Sequence, residues 1–159
     1  MSHEERRALY DYERWLSGRF TRHTTILTPA YLLQEVQKLN AHIAEIDVYR
    51  MNKELLHQYL MFLLSDEKIA IIQLKADTDT VHALVSAIIK TVAVLPHYFA
   101  LDVLQRLQET TTAYPGESEK INLTMRRRKR EAQWQRLFPW LALLVTLLLC
   151  LAMYLFSKK

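Results

Sequence analysis

Two constellations in this sequence could do chemistry, and both lie on candidate helices. Glu54 and His57 stand three residues apart, which puts a carboxylate and an imidazole on one helix face. Di-iron sites in helical bundles use two such Glu-x-x-His pairs plus two further glutamates. No second pair follows here, because His42 and Glu45 run in the reverse order. Glu54, His57 and Gln58 also fall opposite the apolar residues of their segment, so the expectation is an exposed polar stripe and no metal ligand.

His82, Ser86 and Lys90 recur every four residues and could be drawn as a base, a nucleophile and an electrostatic helper. A nucleophilic serine is usually presented by a strained glycine-flanked turn, and none surrounds Ser86. Gly18 and Gly116 are the only glycines, too far apart to build a phosphate-cradling loop. The six histidines include no His-Glu-x-x-His. The reading is of a protein that is not an enzyme and has no catalytic residues, no metal and no cofactor.

The elements that carry these residues read as helices throughout. Ser2 and Glu5 form a capping box, followed by Leu9, Tyr12 and Leu16 on one face with Trp15 beside it, and Gly18 is the expected stop. Thr24 to Thr28 reads as a short link. Thr28-Pro29 starts the next helix, with Thr as cap and Pro in the first turn. Leu32, Val36, Leu39, Ile43 and Ile46 then recur at heptad spacing. That stripe is either core-facing or a seam for a second copy or partner, and at little more than two heptads it favours the core. Asn52 caps a helix to Leu64 buried through Leu56, Tyr59, Leu60 and Leu63. Another starts at Ser65 and takes in Ile69 to Ala76.

Asp79 or Thr80 caps the most apolar soluble segment, Val81 to Leu95, whose narrow wet stripe marks a central helix. Pro96 ends it, and a helix from His97 to Thr110 turns Phe99, Val103, Leu104 and Leu107 inward. Tyr114-Pro115-Gly116 reads as a turn and the domain boundary. Scarce glycine and proline argue against sandwiches and barrels, which need many tight turns. The fold class is therefore all-α: a compact cytosolic helical bundle of about five to six helices over 1–114. A turn and a basic juxtamembrane helix follow over 115–136, then a single C-terminal transmembrane helix over 137–156 and a short tail, 157–159.

The transmembrane assignment rests on twenty residues, Leu137 to Phe156, that contain no charge. At about 1.5 Å per residue they cover roughly 30 Å, the thickness of a hydrocarbon core. Trp134, Trp140 and Tyr154 fall where aromatic rings favour the interface, Thr146 can bond back to its own helix, and Pro139 falls in the first turn. The position excludes a cleaved signal peptide. The single cysteine, Cys150, excludes disulfide scaffolding and zinc-finger spacing, and it lies too far from the end for a lipidation box.

Arg126, Arg127, Arg128, Lys129, Arg130 and Arg136 precede the apolar run. This bias places the N-terminal side in the cytoplasm and the basic cluster against anionic headgroups. Residues 1–119 carry 12 Lys and Arg against 16 Asp and Glu, whereas 120–159 carry 9 against 1. The high pI thus belongs to the anchor region, and lipid phosphate is a simpler partner than nucleic acid.

The expected function is a tail-anchored adaptor or assembly component that recruits other proteins, for instance in a secretion, transfer or envelope complex, with Tyr10 and Trp15 as candidate partner-facing aromatics and a homo-oligomer as one possible form. The alternative is a membrane-active effector, a toxin or immunity protein, or an apoptosis-type regulator on the same plan. The bacterial inner membrane is the favoured location, with the endoplasmic reticulum or mitochondrial outer membrane as alternatives.

Overall fold

The computed structural model describes residues 2–22, 29–65 and 77–157. Every regular element among them is helical: α1 His3–Arg22, α2 Pro29–Ala44, α3 Lys53–Leu63, α4 Thr78–Val92, α5 His97–Thr110 and α6 Pro115–Ser157. No strand occurs among the described residues. The link at 24–28 with its cap Thr28, and the helix expected after Ser65 through Ala76, lie outside them. The chain divides into two compact units, Met1–Met125 and Arg126–Lys159.

Local chemistry sets the helix starts. The Glu5 amide donates to Ser2 Oγ at 3.1 Å and the Ser2 amide donates to Glu5 Oε2 at 2.9 Å, a reciprocal capping box. Pro29 is the first residue of α2, where its missing N–H is not needed. Asn52 Oδ1 accepts the Leu55 amide at 3.0 Å and caps α3. At α4 the cap is Asp77, two residues earlier than expected: its carboxylate accepts the Thr80 amide at 2.6 Å and the Thr80 hydroxyl at 2.9 Å. Those bonds, the backbone one foremost, hold the Asp77 carboxyl below the usual carboxylate range. The same helix ends at Val92, and a turn through Leu95 leads to Pro96.

Gly18 does not end α1, which continues to Arg22. A glycine inside a helix costs about 1 kcal/mol. Aromatic packing on either side outweighs it: Trp15 lies 4.5 Å from the His42 ring, and Phe20 lies 5.5 Å from Tyr59 and 5.3 Å from Phe62.

The core of the first unit is built from one face of every helix. Tyr12 and Leu16 come from α1, Leu56, Tyr59, Leu60 and Leu63 from α3, and Val103, Leu104 and Leu107 from α5. The most extensive contact joins α2 to α4; α1 packs on α3, and α5 on both α3 and α4. Each large apolar side chain so buried contributes about 1.5–3 kcal/mol. Between α2 and α4, Asn40 Nδ2 donates to the Ala87 carbonyl at 3.0 Å, and the buried Thr91 hydroxyl donates to Asn40 Oδ1 at 2.9 Å.

Two features of the sequence resolve at this level. Leu32, Val36, Leu39 and Ile43 are buried in the protein's own core, and Ile46, past the end of α2, packs partly against it. The heptad stripe thus faces the unit's own core, packed chiefly against α4. The boundary expected at Tyr114 also moves. Pro115 opens α6 instead of turning the chain, and Ile121, one turn on, is fully buried. Lys120 Nζ donates to Ser86 Oγ at 2.7 Å, and Gln108 Nε2 donates to Asn122 Oδ1 at 3.0 Å. The first turns of α6 therefore complete the first unit.

Candidate functional site

The second unit is helical from Arg126 to Ser157. Among the described residues, α6 is the one helix long and apolar enough to cross a membrane, with none of its apolar window buried within the protein. Leu147, Phe138 and Trp140 are 62%, 71% and 72% exposed, an arrangement that water penalises and hydrocarbon does not. The Thr146 hydroxyl donates to the Ala142 carbonyl at 2.8 Å, so its polar group is satisfied within the helix. Pro139 is interior to α6, not in a first turn, because the helix has already run from Pro115. It removes one rung of the hydrogen-bond ladder there. Cys150 is a free, exposed thiol.

Trp134 is 65% exposed, like Trp140; the Tyr154 side chain lies outside the described set. Arg126, Arg127, Arg128, Lys129 and Arg130 occupy consecutive positions of the helix, with Arg136 two turns nearer the apolar stretch. Arg127 Nε donates to Glu131 Oε1 at 3.0 Å. This places a dense positive charge beside an apolar surface, the combination a lipid interface accommodates.

In the first unit His57, His82 and Ser86 are engaged in contacts between helices. His57 is not part of an exposed stripe. Its ring stacks on Phe99 at 4.3 Å, and its Nε2 lies 2.7 Å from Asp102 Oδ2, tying α3 to α5. Phe99 is accordingly half-buried and not deep in the core. Glu54 remains exposed, and no group of metal-binding residues occurs among the described residues. His82 Nδ1 lies 2.6 Å from Glu117 Oε1, Ser86 accepts from Lys120, and Lys90 is exposed. The row His82, Ser86 and Lys90 therefore does not converge on one point.

This chain matches no family model, no curated protein and no solved structure.

Of the two candidate contact aromatics, Tyr10 is 63% exposed. Trp15 is half-covered, with the Arg19 guanidinium 5.0 Å above its ring. The residue that sequence reasoning missed is Glu35, fully buried. Arg19 Nη1 approaches Glu35 Oε2 at 3.4 Å, Lys38 Nζ donates to Oε1 at 3.3 Å, and the Tyr59 hydroxyl donates to Oε2 at 3.4 Å. The available signal was geometric: four residues before Leu39, Glu35 falls only about 40° from it around the helix. Burial, and next the Glu35 charge, push the Tyr59 hydroxyl well above its ordinary value. Burial, then Glu13, does the same to Tyr12.

Proposed function

We propose that this protein is a single-pass membrane protein whose helical bundle is a non-enzymatic adaptor or assembly component, recruiting partner proteins to the cytoplasmic face of a bilayer. The observation that carries the reading is the uncharged stretch Leu137 to Phe156, whose described side chains face outward from one helix. The basic flank on its N-terminal side supports a cytoplasmic bundle. Tethering raises the effective concentration of a binding surface without adding any contact. Tyr10, Tyr49 and Tyr98 project from the first unit at 63%, 91% and 66% exposure and offer amphipathic anchors of the kind interfaces use. The His57–Asp102 and His82–Glu117 pairs favour a structural over a catalytic use of the imidazoles.

The test is gentle detergent extraction of the full chain followed by cross-linking and mass spectrometry. The expected result is a protein that cross-links near Tyr10, Tyr49 or Tyr98 and is lost when those residues become alanine. A chain that remains in the supernatant after lysis and high-speed centrifugation has no tether, and a lone monomer in the extract has no partner.

A further inference from the structure

Resting on the membrane reading above, we infer that residues 126–130 form a closed basic collar that reads the charge of an anionic lipid surface from all sides, without a site for any single headgroup. Successive helical residues are about 100° apart. Arg126, Arg127, Arg128, Lys129 and Arg130 are consecutive on α6, so they encircle it and leave no sector wider than about 100° without a cation. A helix that lies flat in the interface separates an apolar face from a basic one. This segment has no such face: its two apolar residues before Leu137, Ala132 and Trp134, point about 160° apart.

Depth gives the same answer. Arg130 precedes Leu137 by seven residues and Arg126 by eleven, a rise of about 10 and 16 Å. The polar layer on each side of a bilayer is only about 5–8 Å thick. The collar's backbone therefore stands about 3–11 Å beyond the outer edge of that layer, on the scale of the Debye length of about 8–10 Å. Cations held there feel the summed surface potential and not the stereochemistry of one phosphate. Arg127 Nε lies 3.0 Å from Glu131 Oε1, an exposed pair that leaves its charge facing the surface.

The full chain is reconstituted into vesicles of phosphatidylcholine with about a third phosphatidylserine, and energy transfer from Trp134 and Trp140 to dansyl-labelled lipid of either type reads the lipid around the helix. Phosphatidylserine is expected to be enriched, and raising salt from about 0.1 M to about 1 M is expected to abolish the enrichment. The double variants R126Q/R130Q and R128Q/K129Q, on different sides of the helix, are expected to lose it equally, by up to about fivefold per residue. Unequal losses, or salt-resistant enrichment, would overturn the collar in favour of a one-sided headgroup site. Preferential retention of a duplex oligonucleotide by the solubilised chain would overturn the lipid assignment. Flotation separates the two readings: a chain that floats without enrichment defeats the collar alone, and one that does not float defeats the membrane reading as well.

Discussion

The Tyr59 hydroxyl donates to Glu35 Oε2 at 3.4 Å, in an interior where neither residue touches water. Arg19 and Lys38 also reach that carboxylate. Replacing Glu35 with alanine leaves the mostly covered Arg19 guanidinium without its counter-charge, and it should lower stability by about 3 kcal/mol. Tyr59→Phe removes one neutral donor and should cost about 1 kcal/mol. Lys38→Ala should cost less than about 1 kcal/mol, because Lys38 is half exposed. Urea unfolding followed by circular dichroism would rank the three, and a Lys38 effect as large as that of Glu35 would refute the assignment of the buried charge pair to Arg19.

Tyr12 and Tyr59 set an alkaline limit. Both are held above the ordinary tyrosine value near 10 in the folded state. Below that value they are neutral whether folded or not, and their contribution to stability is fully present. As pH rises past 10, the unfolded chain releases protons that the folded chain retains, so stability falls. Ultraviolet titration should show Tyr12 and Tyr59 ionising only together with the loss of helical signal. Ionisation of either of these two while the helices persist is the contrary outcome.

Ile121 tests where the first unit ends. A fragment of residues 1–125 keeps this buried side chain, and one of 1–118 loses it. In the full chain Ile121→Ala should cost about 2–4 kcal/mol. Thermal melts should place the longer fragment well above the shorter one; equal midpoints would move the boundary back towards Tyr114.

Leu147 sits midway along the uncharged stretch. Arginine there should cost about 2.5–3.5 kcal/mol of insertion free energy and shift the chain into the carbonate-soluble fraction. Cys150 gives an independent readout without mutagenesis. A charged maleimide should label it in detergent-unfolded chain and not in intact vesicles.

Much of the fold could be read in advance because local and tertiary signals agree there. Asn52 caps α3, and the four residues expected to bury it, Leu56, Tyr59, Leu60 and Leu63, are the four that are buried. Pro96 fixes the start of α5, and the stripe from Leu32 to Ile43 is core. Where signals competed, the reading failed. Asp79 and Thr80 carried the cap signal, yet the cap is Asp77, whose carboxylate accepts the Thr80 amide. Gly18 reads as a stop unless the aromatic partners of Trp15 and Phe20, more than twenty residues away, are known. Pro115 carried a valid first-turn signal that Gly116 masked. The burial of Glu35 depends on Arg19 and Tyr59 arriving from other helices, so no reading of α2 alone could establish the ion pair. Of the candidate site, the apolar stretch and basic run were plain from composition, whereas the pairing of His57 and His82 with carboxylates 45 and 35 residues away was not.

Asn40 carries a consequence for how many ways this sequence can pack. Leucine, valine and isoleucine on α2 would slide along α4 by a full turn with modest change in buried area. Asn40 opposes that slide, because one turn either way strips it of both the Ala87 carbonyl and the Thr91 hydroxyl. That amide favours one register of the two helices over its neighbours, a directional preference that hydrocarbon alone does not supply.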